Sequence, residues 1–244
     1  MALPRFHCPL PLTPGATLAL PEPAARHAVR VLRLGTGDAI TLFNGEGGEH
    51  EARIEGAGSG QVLARVIARH DVERESPLPV VLAQALCAAE KMDLIVQKAV
   101  ELGVAGIQPL ASARSVARLS AMRAARKLGH WRGVAVAACE QCGRNRVPPV
   151  SEVAELRRWA GSRPLAGGTG LLLSPEADCS LSQFGPPAGP VTVLIGPEGG
   201  FTPDEEAAAL AAGFRRVRLG RRVLRTETAG LAALAALAAL CGDF

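Results

Sequence analysis

The stretch that most constrains the fold is VTVLI at Val191 to Ile195, followed without a break by GPEGG at Gly196 to Gly200. A nearly continuous apolar run rich in β-branched residues reads as a strand buried on both faces, and such strands belong to parallel sheets covered by helices. Thr202 fits a helix N-cap, Pro203 the first helical position and Glu205 the third, a capping box. The loop between strand and helix lacks a Cβ at Gly196, Gly199 and Gly200, so its backbone can approach a ligand closely. A phosphate cradle is the first candidate, because helix N-termini attract anions. The spacing matches neither a dinucleotide fingerprint nor a P-loop, however, and Glu198 would set a negative charge where the phosphate would lie. A phosphate-free ligand with a positive centre, such as S-adenosylmethionine, fits better. A tight turn that binds nothing is the alternative.

Downstream, Arg218, Arg221, Arg222 and Arg225 crowd into a short loop, and Thr226, Glu227 and Thr228 open a second helix. Thr226 or Thr228 is the expected cap of that helix. A basic loop beside a glycine loop, each leading into a helix, suggests a cofactor pocket next to a polyanion site. A solvated charged loop is the plain alternative. Leu231, Leu234, Leu237 and Leu240 recur every third residue, which predicts one packed helical stripe.

The rest of the chain divides by rhythm. Residues 1–72 read as short strands separated by glycine turns: Ala39 to Asn44, Glu49 to Glu55 and Gln61 to Arg69, with turns at Gly45 to Gly48 and Gly56 to Gly60. That pattern predicts a small, partly closed β-barrel. Arg5, Arg26, His27, Arg30 and Arg33 cluster there and are candidates for an RNA-facing surface, against the alternative of solvated arginines. Asp71 to Pro79 is a charged, proline-punctuated linker, and the boundary is placed at residues 72/73. From 73 to 244 strands and helices alternate: Val80 to Ala85, a helix over Lys91 to Gly103, Gly106 to Ala111, helices over Ala121 to Gly143 and Ser151 to Ala160, and Leu171 to Leu173. Alternation of this kind predicts an α/β domain with a parallel sheet. Ligands in such folds lie at the carboxyl ends of the strands, which gathers Leu172, Ser174, Gly196 to Gly200 and Leu219 to Thr228 around one crevice.

A net charge of +4 permits RNA binding without making the chain a polycation. The apolar tail is too short to cross a bilayer, and the proline-broken N-terminus lacks a signal-peptide pattern. A cytoplasmic protein is expected. Cys139 and Cys142 form a lone C-x-x-C without a second pair at zinc spacing, and the histidines are dispersed, so no metal site is expected.

GPEGGF at Gly196 to Phe201 and LGRRVLRTETA at Leu219 to Ala229 together resemble the RsmE-type methyltransferases of the SPOUT superfamily, which methylate N3 of a uridine in 16S ribosomal RNA. KMDLIVQKAVELGV, GIQPLASARSV and ACEQCGRNRVPPV resemble further motifs of that family, with Cys142 where serine is usual. VLRLGTGDAITLFNG resembles its N-terminal PUA-like barrel. The resemblance implies a parallel-sheet domain with a trefoil knot, a homodimer, S-adenosylmethionine as cofactor, and 16S ribosomal RNA, within the small ribosomal subunit, as partner. For the methyl-transfer chemistry Arg225 is the candidate cation that stabilises the uridine imide anion and Glu227 the nearest candidate base, with a capping or structural ion-pair role as its alternative; Glu140 and Gln141 are candidates to orient the base edge, against a helix-surface ion pair between Glu140 and Arg144. The cofactor would be held by Leu172, Ser174, Gly196, Pro197, Glu198, Gly199, Gly200, Leu219, Gly220, Leu224, Thr226, Thr228 and Ala229. Arg114, Arg144, Arg221 and Arg222 join the RNA-contact candidates. A SPOUT enzyme acting on another RNA position or on transfer RNA, and a non-catalytic RNA-binding assembly factor, are the remaining readings.

Overall fold

The structure, a computed structural model, describes residues 3–58, 61–115, 120–162, 165, 167–187, 189–241 and 243–244. The chain forms two compact units, Met1–Glu75 with Cys139–Val147, and Ser76–Ala138 with Pro148–Phe244.

The first unit contains β1 (Arg5–His7), β2 (Thr17–Ala19), α1 (Glu22–Arg26), β3 (Ala39–Phe43), β4 (Glu49–Gly58) and β5 (Gln61–His70). They form one five-stranded sheet in the order β1-β3-β4-β5-β2. Alternation along β4 and β5 turns Ala52, Ile54, Val62, Ala64 and Val66 inward, where they meet Phe6, Ile40 and Leu42 in a single core. The edge strands β1 and β2 are too short, and too close to prolines, to carry a period in the sequence. After α1 the chain makes one wider turn over His27–Val31, with the Leu32 amide bonded to the His27 carbonyl. Residues 59 and 60 of the expected Gly56–Gly60 turn, and Val116 of the GIQPLASARSV segment, lie outside the described residues.

The unit runs to Glu75, beyond the expected boundary at residue 72, and takes in the last turn of helix α3 (Ala121–Cys142) and the segment after it. The physical reason is a polar network. Arg5 donates to Glu49 (2.6 Å) and to Asn145 (2.6 Å), Arg74 donates to Glu49 (3.0 Å), and Asn145 donates to the Val72 carbonyl (2.6 Å). Arg146 pairs with Glu73, and Arg144 with Glu75. The charged stretch expected as a linker is thereby held by its own charges.

The second unit contains β6 (Val80–Ala85), α2 (Ala89–Glu101), β7 (Gly106–Ala111), most of α3, β8 (Ala154–Glu155), α4 (Leu156–Ser162), β9 (Thr169–Leu173), α5 (Leu181–Phe184), β10 (Val191–Ile195), α6 (Pro203–Ala211), β11 (Phe214–Val217) and α7 (Thr226–Cys241). Six strands form a wholly parallel sheet in the order β11-β9-β10-β6-β7-β8. The opening run is β10, near the middle of the sheet, with Val193 and Leu194 fully buried, as its lack of alternation requires. The fold class expected from the sequence, a parallel α/β domain after a small β unit, is the one observed.

Two local expectations change. Ser151 to Ala160 is not one helix. Its first part bonds to the edge of β7, through the Ser151 amide to Ile107 and Gln108 Nε2 to the Glu152 carbonyl, and α4 begins only at Leu156. The leucine stripe of α7 also shifts. A spacing of three drifts around a helix of 3.6 residues per turn, so Leu240 is exposed and the buried face is Gly230, Ala233, Leu234, Leu237 and Ala238. A Cβ at Gly230 would lie 3.1 Å from Leu82 and 3.5 Å from Ile195, so this glycine lets α7 settle directly on β6 and β10.

Candidate active site

At the carboxyl ends of β9, β10 and β11 the second unit has a cleft of about 450 Å³. Its walls come from the two loops singled out in the sequence. Gly196, Pro197, Glu198 and Gly200 line it from the first loop, Leu219, Gly220, Leu224, Thr226 and Ala229 from the second and the helix it opens, and Ser174 joins them from the end of β9. Arg222 and Arg225 also line it, and both are exposed.

The glycine loop is held from below and from the side. The predicted capping box is present: the Glu205 carboxylate accepts from the Thr202 amide (2.9 Å), and the Thr202 hydroxyl accepts from the Glu205 amide (3.3 Å). Glu205 is 2% exposed and accepts a further bond from the Ala113 amide (2.7 Å), so one buried carboxylate joins α6 to the loop after β7. Arg114 donates to the carbonyls of Gly199 (3.0 Å) and Phe201 (3.2 Å). Expected as a phosphate contact, Arg114 braces the glycine loop, and Gly199 offers its carbonyl to that brace and is not among the cleft-lining residues.

Thr226 does not cap α7. The Arg225 carbonyl accepts the first helical bonds, from Thr228 and Ala229, so the cap position is Arg225. The Thr226 hydroxyl is engaged elsewhere: it donates to the Gly196 carbonyl (2.6 Å) and accepts from Gln84 Nε2 (2.9 Å). Gln84 is fully buried on β6. This relay ties the glycine loop to the start of α7. Thr228 is exposed and Arg221 points no part of itself into the cleft lining. Leu172 is a correction: it lies in the core with Leu194 and Phe214, while its neighbour Leu173 lines the cleft, because successive strand residues face opposite sides.

Lys91 is the residue that sequence reasoning missed. It lies in the first turn of α2, lines the cleft, and reaches Glu198 (2.8 Å) and Glu227 (3.2 Å). The signal was present in KMDLIVQKAVELG, but read as a helix pattern it did not separate this lysine from its neighbours. The hydrogen bond to Glu198, and after it the ion pair with Glu227, raise the Lys91 ammonium above its ordinary value. The Glu227 carboxyl is lowered, first by its own backbone amide at the helix start, against the opposing effect of burial, and then by the charges of Lys91 and Arg225. A carboxylate made more acidic is a weak proton acceptor. Cys87 is no nucleophile either, since burial pushes its thiol up to about 12.

The lining suits a small cofactor of mixed character. Leu173, Ile195, Val217 and Leu224 give apolar surface, three glycines expose backbone, and the carboxylate of Glu198 offers a partner for a positive centre. Among the described residues, no group of three or more His, Cys, Asp or Glu side chains could hold a metal ion. No described helix is long and apolar enough to cross a membrane.

In the first unit the expected RNA-contact residues separate into two kinds. Arg26, His27, Arg30 and Arg33 are all exposed on α1 and the turn after it, with Arg26 paired to Glu22 (2.8 Å) and His27 edge-on to Phe6. Arg5 and Arg144 are not available in that way. Arg144 is 3% exposed and held by Glu75, and Arg5 is spent on Glu49 and Asn145. Both hold the unit together, which corrects their expected place among the RNA-contact residues. Glu140 accepts from the His7 amide (2.9 Å), while Gln141 is exposed. Cys139 is buried and free, its thiol raised to about 12 by burial, and Cys142 is also free.

The parallel sheet and its backbone-walled cleft define a class: the family described as RNA methyltransferase domain matches residues 74–238, and the RNA methyltransferase PUA domain matches residues 20–67. A solved ribosomal RNA small subunit methyltransferase E from Neisseria gonorrhoeae, bound to S-adenosyl methionine, is 41% identical, covers 100% of both chains and superposes with a TM-score of 0.92. The protein of the same name from Mycobacterium tuberculosis is 36% identical over 93% of this chain and 87% of its own length. That from Buchnera aphidicola is 30% identical over 99% of this chain and 98% of its own. The chain belongs to the ribosomal RNA small subunit methyltransferase E family.

Proposed function

We propose that this protein transfers a methyl group from S-adenosylmethionine to N3 of a uridine in 16S ribosomal RNA. The observation that supports this most is the cleft at the strand ends, walled by two backbone loops and bordered by Arg222 and Arg225. Gly196, Pro197, Gly200, Leu219, Gly220, Leu224 and Ala229 are the residues that would hold the cofactor. When bound, S-adenosylmethionine supplies an electrophilic methyl group on a sulfonium centre.

What the chain must add is position and charge. Uridine N3 carries a proton at neutral pH and is a poor nucleophile until that proton leaves. The guanidinium of Arg225 favours the imide anion and so lowers the cost of deprotonation. Arg222 and Arg221 attract phosphates near the cleft, and the exposed Arg26, His27, Arg30 and Arg33 are the RNA-facing residues of the first unit. A homodimer, the trefoil knot, action on the small ribosomal subunit and a cytoplasmic location are parts of the same reading.

The test is transfer of labelled methyl to small subunits lacking the modification, compared with their naked RNA, followed by nucleoside analysis. Label in 3-methyluridine is the expected result. Label in another nucleoside keeps the cofactor and moves the target, and no label on either substrate overturns the reading.

A further inference from the structure

The stretch from the end of β6 to the first turn of α2 contributes to both loops of the cleft at once. At its buried end Gln84 donates to Thr226, which donates to Gly196. At its open end Lys91 reaches Glu198 on the glycine loop and Glu227 on the first turn of α7. The two ties differ in kind. The inner one is a neutral hydrogen-bond relay anchored on the fully buried Gln84. The outer one is a cation between two carboxylates, with side chains 25%, 34% and 15% exposed, on the lining of the cleft itself.

We propose that Lys91 is a positioning residue that holds the two cofactor loops in register through Glu198 and Glu227, and that this pairing withdraws Glu227 from proton transfer. This rests on the methyltransferase reading above. Four observations carry it. Lys91 bridges one carboxylate from each loop. The Glu227 backbone amide, at a helix start, already stabilises its carboxylate. Neither Glu198 nor Glu227 has another cation within ion-pair distance among the described residues. Finally, the bracing of the glycine loop by Arg114 and Thr226 leaves its Gly200 end open: a Cβ there would meet nothing within 4 Å. Glu227 Oε2 meets Lys91 as an ion pair without a hydrogen bond; with the carboxylate held charged by that pair, the N3 proton leaves to water, and Arg225 acts on the anion that remains.

The consequence is a separation of effects. Lys91→Met raises the dissociation constant for S-adenosylmethionine about tenfold, and Lys91→Arg restores most of it. Glu227→Gln raises the same constant severalfold and lowers the saturated rate by less than about tenfold, well short of the 10²–10⁴ expected for a lost general base. The double variant binds no more weakly than Lys91→Met alone, because both remove one interaction. Without an enzyme base, the saturated rate of the wild type keeps rising with pH through the neutral range and shows no plateau set by a carboxylate.

Calorimetric titration with S-adenosylmethionine and single-turnover methyl transfer across pH measure all of this. Unaltered cofactor affinity in Lys91→Met overturns the positioning role. A loss of about 10³-fold in rate for Glu227→Gln at unaltered affinity overturns the second clause and makes Glu227 the base. A wild-type chain that binds no S-adenosylmethionine overturns the functional reading and this proposal together, which distinguishes that failure from the first two.

Discussion

Arg144 in the first unit and Arg225 in the second come from motifs of similar clarity, ACEQCGRNRVPPV and LGRRVLRTETA, yet the structure uses them in opposite ways. Arg144 is buried against Glu75, within a network that also engages Arg5, Arg74, Glu49 and Asn145. Arg225 is exposed on the lining of a cleft, at the position where a helix begins. A buried guanidinium must find carboxylate and carbonyl partners or cost several kcal/mol, whereas an exposed one keeps its donors for a ligand. The difference lies in the acids. Glu49, Glu73 and Glu75 are brought to the first group by the fold, while the basic loop has only Glu227 close by in sequence, and that carboxylate is taken by Lys91. A motif therefore shows that an arginine is wanted and leaves open what it faces.

Substitution should separate the two deployments. Arg225→Ala is expected to lower the saturated rate of methyl transfer about 10²-fold or more, with unfolding stability within about 0.5 kcal/mol of the parent. Kinetics at saturating RNA with parallel denaturant unfolding read both. A stability loss without a rate loss would break the comparison, since it would make Arg225 a structural arginine too. Arg144→Ala should do the reverse: it leaves Glu75 without its partner and costs about 3 kcal/mol in the first unit. Cofactor affinity, a property of the other unit's cleft, should change by less than about twofold. An Arg144→Ala protein of parental stability that has lost RNA affinity would return Arg144 to the phosphate contacts first expected of it.

The sequence disclosed elements better than partners. β10, the glycine loop and the capping box on α6 were legible because each depends on residues adjacent in the chain: an unbroken apolar run, glycines, and Thr202 with Glu205. The cleft residues Gly196, Gly200, Gly220 and Leu224 followed from the rule that places ligands at strand ends. Lys91, the bracing role of Arg114 and the hydroxyl relay of Thr226 were not legible, since each depends on a partner far along the chain: Glu198, Gly199 and Gln84. Leu172 was misassigned by one residue, which on a strand means the opposite face. Local chemistry was readable and long-range pairing was not.

The network around Glu49 sharpens the comparison through pH. Burial alone would raise this carboxyl, but hydrogen bonds and charges from Arg74 and Arg5 outweigh it and hold it at about 2, against an ordinary 4.5. A carboxylate depressed in the folded state adds stability that is fully present above its unfolded value and is lost as pH falls through the folded one. The window is therefore from about 4.5 down to about 2, with a contribution of up to about 3 kcal/mol. Thermal unfolding of the first unit should fall through that window in the wild type and be flatter in Glu49→Gln.

The smallest effect belongs to Arg26, the exposed counterpart of Arg144 within the same unit. Its bond to Glu22 spans one helical turn, with side chains 58% and 81% exposed. A pair so open to water contributes roughly 0.5 kcal/mol or less, so Arg26→Ala should leave unfolding almost unaltered. Phosphate binding is another matter, because a weak surface pair is readily exchanged for a polyanion. If α1 faces RNA, the same substitution lowers affinity for naked 16S RNA by roughly threefold. It also reduces the steepness of the salt dependence by about one charge. An unaltered salt slope, measured by titration at several ionic strengths, would leave Arg26 as a solvated arginine and narrow the RNA-facing candidates of this unit to His27, Arg30 and Arg33.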